Sequence, residues 1–142
     1  MNSEEIERVL RQRHVRDFDG VFAADELPDD PRLLVVNTDP ASRPGRHWVC
    51  ICVDKDGRGE YFDSFGRRPP AYFERYMDRH CSSWTFNCRQ LQSVTSRFCG
   101  HYCIYYCVLR SRGVGMFAIV NSLTADTGLN DVLIHRFACV RQ

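Results

Sequence analysis

The chain has 142 residues, with 19 Lys and Arg against 18 Asp and Glu, for a formal charge of +1. A near-neutral balance excludes nucleic-acid binding driven by bulk charge, although Arg67-Arg68 leaves a local patch open. A hydrophobic share of 44% and a charged share of 26% exclude wholesale disorder, and no apolar run approaches the ~20 residues of a membrane span.

The expectation is a single domain over residues 1–142. In chain order, 3–12 read as a helix: Asn2 or Ser3 can cap it, and Ile6, Val9 and Leu10 form an apolar stripe. The acidic start, Met1-Asn-Ser-Glu-Glu5, lacks the apolar core of a secretory signal. Residues 17–31 alternate turn formers and acids with Phe18, Val21, Phe22 and Leu27, as a packed irregular segment would. Arg32–Asn37 reads as a strand, and Pro40, Pro44 and Gly45 as a loop. Strands are expected at 47–53 and 59–63, joined by a turn containing Asp56-Gly57. Pro69 and Pro70 open a helix through Met77. Trp84–Gln92 reads as a strand, Cys99–Leu109 as a helix ended by Gly113 and Gly115, and Asp131–Cys139 as a last helix. This order predicts an α+β fold: helices packed on a mainly antiparallel central sheet, with Cys99 at the N-terminus of a central helix.

Of eight cysteines, most lie inside apolar periodic segments, so reduced intracellular thiols are expected. Cys99 is the one that invites chemistry. A cysteine opening a helix faces unpaired N–H groups and the positive end of the helix dipole, which favour thiolate, the attacking species. Gly100 reads as leaving room for a substrate carbonyl beside the sulfur. Of five histidines, His14, His80 and His135 lie among charged residues. His101 points well round the helix from Cys99. His47, heading an apolar strand after a Pro-Gly loop, is the candidate general base.

An orienting carboxylate is offered by Asp63 in Tyr61-Phe-Asp-Ser-Phe-Gly66. Register decides whether it can meet His47. A two-residue Asp56-Gly57 turn pairs Cys50 with Asp63 and separates the two faces. A three-residue loop, Lys55-Asp56-Gly57 with Gly57 left-handed, pairs Val49 with Asp63 and makes His47 a diagonal neighbour at about 7 Å. The longer turn is therefore required. Acyl transfer also needs donors for an oxyanion. The Cys99 N–H is one, Gln92 a side-chain candidate for the other, and Gln90 the runner-up.

His47-Trp48, then Phe62-Asp63-Ser64-Phe65-Gly66, then Gln92, then Cys99-Gly100 resemble, in order and spacing, adenain and its relatives in the ubiquitin-like-protein protease clan. The resemblance covers roughly residues 5 to 115 and takes in Val35-Val36-Asn37-Thr38. It implies a permuted papain-like fold, a Cys99–His47–Asp63 constellation with Gln92 in the oxyanion hole, and Trp48 over a channel for small residues at the scissile bond. Adenain has Glu where this chain has Asp63; the ubiquitin-like-protein proteases have Asp. The look is of the adenain-like endopeptidases of adenovirus-like elements such as Polinton or Maverick transposons, which implies capsid-protein maturation in a host nucleus or virion. The chain is shorter than adenain and less basic, which weighs against activation by DNA. No cofactor is required for the chemistry. The resemblance also implies an activating peptide, with Cys81 as its pairing cysteine and Cys88 as second candidate. Protein or peptide substrates follow from the same reading.

Three rivals stand beside it. An isopeptidase for ubiquitin-like proteins belongs to the same clan, and an inactive interaction domain could keep the fold. A zinc module could use His80-Cys81, but no Cys-x-x-Cys pair exists and Cys50 and Cys52 are read as facing opposite sides of their strand, so no metal is expected.

Overall fold

The computed structural model describes residues 1–43 and 47–139. Its elements are α1 (Ser3–Gln12), β1 (Phe18–Phe22), β2 (Leu33–Asn37), β3 (Trp48–Val53), β4 (Arg58–Phe62), α2 (Ala71–His80), β5 (Ser83–Phe86), α3 (Cys99–Ser111), α4 (Met116–Asn121) and α5 (Thr127–Cys139). The strands form one sheet in the order β1-β2-β3-β4-β5. The fold is α+β and the sheet is mixed: the central pairs β2–β3 and β3–β4 are antiparallel, and the edge pairs β1–β2 and β4–β5 are parallel.

Side-chain alternation splits the core in two. Leu33, Val35, Cys50, Cys52 and Phe62 face α1, α3, α4 and α5, while Leu34, Val36, Val49, Ile51 and Tyr61 face Phe73, Tyr76 and Met77 of α2. With helices on both faces, β2 and β3 are buried throughout apart from Trp48, which is why they read as unbroken apolar runs rather than alternating ones. Cys50 and Cys52 therefore share a face, contrary to expectation, because residues two apart on a strand point the same way.

Several elements differ from the sequence reading. Residues 18–22 are a strand, not irregular: Asp19 Oδ2 accepts from the Arg32 and Leu33 N–H groups and ties β1 to β2 across a bulge. The strand expected over 84–92 is only Ser83–Phe86, and a short helix α4 follows α3. α2 begins at Ala71 and runs to His80, and α5 begins at Thr127. α1 is capped by Asn2, whose side chain accepts from the Glu5 N–H while Glu5 reaches back to the Asn2 N–H. Of the expected loop, Pro44 and Gly45 lie outside the described residues.

The β3–β4 connection is the one the chemistry requires. Asp54 N–H donates to the Arg58 carbonyl, leaving Lys55-Asp56-Gly57 as a three-residue loop with Gly57 at φ +78°, and Asp54 Oδ1 accepts from the Asp56 and Arg58 N–H groups. Cys50 pairs with Phe62, so the ladder sets Val49 opposite Asp63 just beyond it.

Candidate active site

Three elements converge. His47 sits at the mouth of the central strand β3, Asp63 directly follows β4, and Cys99 opens α3. His47 Nε2 donates to Asp63 Oδ1 at 2.7 Å, with both side chains nearly buried. That bond leaves Nδ1 as the ring nitrogen for the Cys99 thiol, with which His47 is also hydrogen-bonded. Phe65 packs on the imidazole with ring centroids 5.0 Å apart.

Asp63 is held from several sides. Its Oδ1 also accepts from the Phe65 N–H at 2.8 Å, and Asn87 clamps its backbone, accepting from the Asp63 N–H and donating to the Asp63 carbonyl. Asn87 is buried, and sequence reasoning missed it: one polar residue in a strand-like run gives no signal of what it grips.

Burial alone would lower the His47 pKa, yet the hydrogen bond to Asp63, that to Cys99 and the charges of both raise it to about 9. Burial alone would push the Cys99 thiol up. The His47 ring hydrogen bond, a backbone hydrogen bond from Trp48, the His47 charge and a backbone hydrogen bond from Gly100 outweigh it, and hold the thiol below its ordinary value. Both shifts run in the direction that favours a thiolate beside an imidazolium, and two groups this close titrate as a pair. Cys103, one turn further along α3, is pushed up to about 11 by burial. His101 is held near 4 by burial, by the N-terminal ammonium and by His135, so it is not a second base for Cys99.

The other expected residues are placed differently. Gln92 is fully buried, and its amide is engaged: Oε1 accepts from Ser64 Oγ at 2.5 Å, while Nε2 donates to the Ser96 carbonyl and hydroxyl at 3.0 and 3.2 Å. It bridges the residue after Asp63 to the segment leading into Cys99, and in this state does not offer the free amide expected of an oxyanion donor. Gln90 is exposed and donates to the Gln92 carbonyl. The side of Gly100 where a side chain would stand is turned to α1: a Cβ there would meet Ile6 Cδ1 at 3.1 Å and Met1 Cβ at 3.4 Å, so the missing side chain serves close packing of α3 on α1. Trp48 is half-buried and donates its indole N–H to the Met1 carbonyl at 3.2 Å.

No protein-family model matches the chain. It is 32% identical to cysteine protease S273R of African swine fever virus, over 96% of this chain and 54% of the relative. A second isolate's protein, named SUMO-1 cysteine protease S273R, is 32% identical over 94% of this chain and 57% of its own length. The crystal structure of the African swine fever virus pS273R protease superposes with a TM-score of 0.66 at 21% identity, covering 94% of this chain and 66% of that one. The SUMO protease Ulp1, with its catalytic cysteine oxidised to a sulfenic acid, superposes with a TM-score of 0.56 at 15% identity, covering 97% of this chain and 74% of that one.

The fold is that of a SUMO-type cysteine protease. The likeness runs through almost the whole chain, and both S273R relatives are named cysteine proteases. The chain spans little more than half the length of these curated relatives.

The two cysteines offered for a peptide contact differ within this fold. Cys81 caps α2, is half-buried, and has its thiol pushed up by burial and by Asp54 and Asp78. Cys88 is exposed, in a groove of about 480 Å³ with Phe86, Met116 and Phe117. His80 packs on the Tyr76 ring. Among the described residues, no helix is long and apolar enough to cross a membrane.

Proposed function

We propose that the chain is a cysteine peptidase in which the Cys99 thiolate attacks the scissile carbonyl, His47 carries the proton and Asp63 orients the imidazole. The observation that carries this reading is the 2.7 Å Nε2–Oδ1 hydrogen bond, which leaves the other ring nitrogen to interact with the Cys99 thiol. Because the pair is ionised beforehand, His47 starts as a proton store rather than as a base that strips the thiol. The S–C bond forms and the carbonyl oxygen becomes an oxyanion; the C–N bond then breaks as His47 gives its proton to the leaving amine. Neutral His47 next takes a proton from water, whose oxygen attacks the thioester, and loss of the S–C bond restores the thiolate and imidazolium. The first N–H groups of α3 lack the carbonyl partner that later turns of a helix supply, and the Cys99 N–H is the oxyanion donor this reading uses. Gln92 acts as a positioning residue that locks the Asp63 turn to the Cys99 approach.

For the substrate, we favour the C-terminal tail of a ubiquitin-like protein over the capsid precursors implied by the adenain resemblance. Support comes from the relatives named SUMO-1 cysteine protease and the SUMO protease fold. A groove of about 550 Å³ beside Trp48, walled by Met1, Phe22, Asn37, Asp39 and Arg43, suits an extended chain. Asn37 and Asp39 line it, and Asn37 Nδ2 and Asp39 Oδ2 are buried just beneath its surface without hydrogen-bond partners. Leaving such a group unpaired costs about 1–3 kcal/mol, and a peptide backbone offers the missing acceptor and donor together. An activating peptide rests on the resemblance, with exposed Cys88 the better contact than Cys81. Eight free thiols go with a reducing compartment inside a host cell.

The test is SUMO-1 joined through its C-terminus to a fluorophore, run beside unfolded Gly-containing peptides. The expected result is release of the fluorophore by the chain and none by Cys99→Ala. Cleavage of the peptides alone would restore the adenain-type endopeptidase, and cleavage of neither would contradict the peptidase reading.

A further inference from the structure

The back of the nucleophile helix carries a second cluster of reactive side chains that the peptidase chemistry does not use. His101 of α3 and His135 and Cys139 of α5 each present one ligand atom, and these atoms all lie within 4.8 Å of one another. His135 and Cys139 are one turn apart on α5, so both project from the same helix face, and His135 Nε2 already stands 3.6 Å from Cys139 Sγ. The two imidazoles face each other across the helix pair with ring centroids 5.5 Å apart. Phe98 packs against both rings, at 4.9 Å from His101 and 5.2 Å from His135, and limits how they can turn. His101 Nδ1 is buried and has no hydrogen-bond partner. A buried imidazole nitrogen without a partner is costly, so the ring has hydrogen-bonding capacity that the protein leaves unused.

We infer that His101, His135 and Cys139 form a binding site for a borderline-soft divalent metal, Zn²⁺ foremost, which clips α5 to the helix that begins with Cys99. Two imidazole nitrogens and one thiolate are a donor set that Zn²⁺ takes in tetrahedral geometry, with a fourth position for water. Bonds of about 2.0–2.1 Å to nitrogen and about 2.3 Å to sulfur place ligand atoms roughly 3.5 Å apart. The His135–Cys139 pair has that spacing already, both residues are exposed, and a shift of about an ångström closes the remaining gap to His101. The site is independent of the zinc module considered for His80-Cys81, and it departs from the sequence expectation of no metal. It also does not depend on the peptidase reading, since none of its ligands touches the substrate carbonyl.

The experiment uses the full chain carrying Cys99→Ala, which removes the active-site thiolate as a competing metal ligand. Co²⁺ serves as the spectroscopic probe, and Zn²⁺ as the competitor. One equivalent of Co²⁺ is expected to give a thiolate-to-cobalt charge-transfer band that Zn²⁺ displaces and that disappears on adding Cys139→Ser or His135→Ala. Both changes are at exposed positions and leave the fold intact. Saturating Zn²⁺, near a hundred times Kd, should raise the melting midpoint by about 5–10 °C and shield Cys139 from alkylation. His101→Gln should weaken binding at least about tenfold, and retention of full affinity there would remove His101 from the site. Absence of a stoichiometric band, or a band that survives Cys139→Ser or His135→Ala, would overturn the inference.

Discussion

Cys99→Ala is expected to abolish turnover, by at least roughly 10⁴-fold, while the protein keeps its secondary structure and its cooperative melting transition. The loss is that large because no other group replaces the sulfur. Cys103 lies one turn further along α3, fully buried and with its thiol pushed up to about 11. The fold tolerates the change because Sγ supports no helix cap: the N-cap residue of α3 is Phe98, without a side-chain cap. Removing the thiolate also removes the partner that helps raise the His47 pKa. In Cys99→Ala the imidazole should therefore titrate below its wild-type value of about 9, a shift that NMR of the ring protons reads directly.

Asp63→Asn is expected to lower kcat by about 10²–10⁴-fold with the fold retained. The backbone at position 63 is clamped by Asn87 in both directions and does not depend on the carboxylate. An asparagine can still accept from the Phe65 N–H, but it brings no charge to the imidazolium. His47 then loses a principal support for its raised pKa, and the thiolate loses part of its counter-charge. Activity should fall most on the alkaline side, where the proton leaves His47 earlier than in the native protein. Rate–pH profiles of the two proteins check this, and a variant with an unshifted alkaline limb would show that Asp63 does not act on the imidazole.

The meeting of His47 with Asp63 was legible in the sequence because it depends on local facts. Gly57 permits a left-handed residue, a three-residue loop follows, and that loop fixes the register that brings the two side chains together. The position of Cys99 at a helix start was legible for the same reason. What the sequence did not yield depends on contacts between distant segments. Gln92 reads as a free amide until Ser64 and Ser96 are brought to it. Gly100 reads as room for a substrate until α1 is packed against it, with Ile6 where a side chain would go. β1 was hidden because its pairing depends on Asp19 bonding to the start of β2, within a stretch rich in turn formers. The His135–Cys139 spacing is visible in the sequence, but the third member of that cluster comes from another helix.

The central claim is that Cys99 rests as a thiolate paired with a protonated His47. The most direct measurement is the rate of iodoacetamide modification at each cysteine against pH, mapped by mass spectrometry on the folded chain. An ordinary thiol, with a pKa of about 8.5, loses reactive thiolate tenfold for each unit below that value. Cys99 should lose less reactivity than an ordinary thiol as the pH falls from 8 to 6, and should react at pH 6 well ahead of the exposed Cys88 and Cys139. If Cys99 falls tenfold per unit from pH 8, or reacts no faster than Cys88 and Cys139 at pH 6, no ion pair is present and the account of the site is wrong.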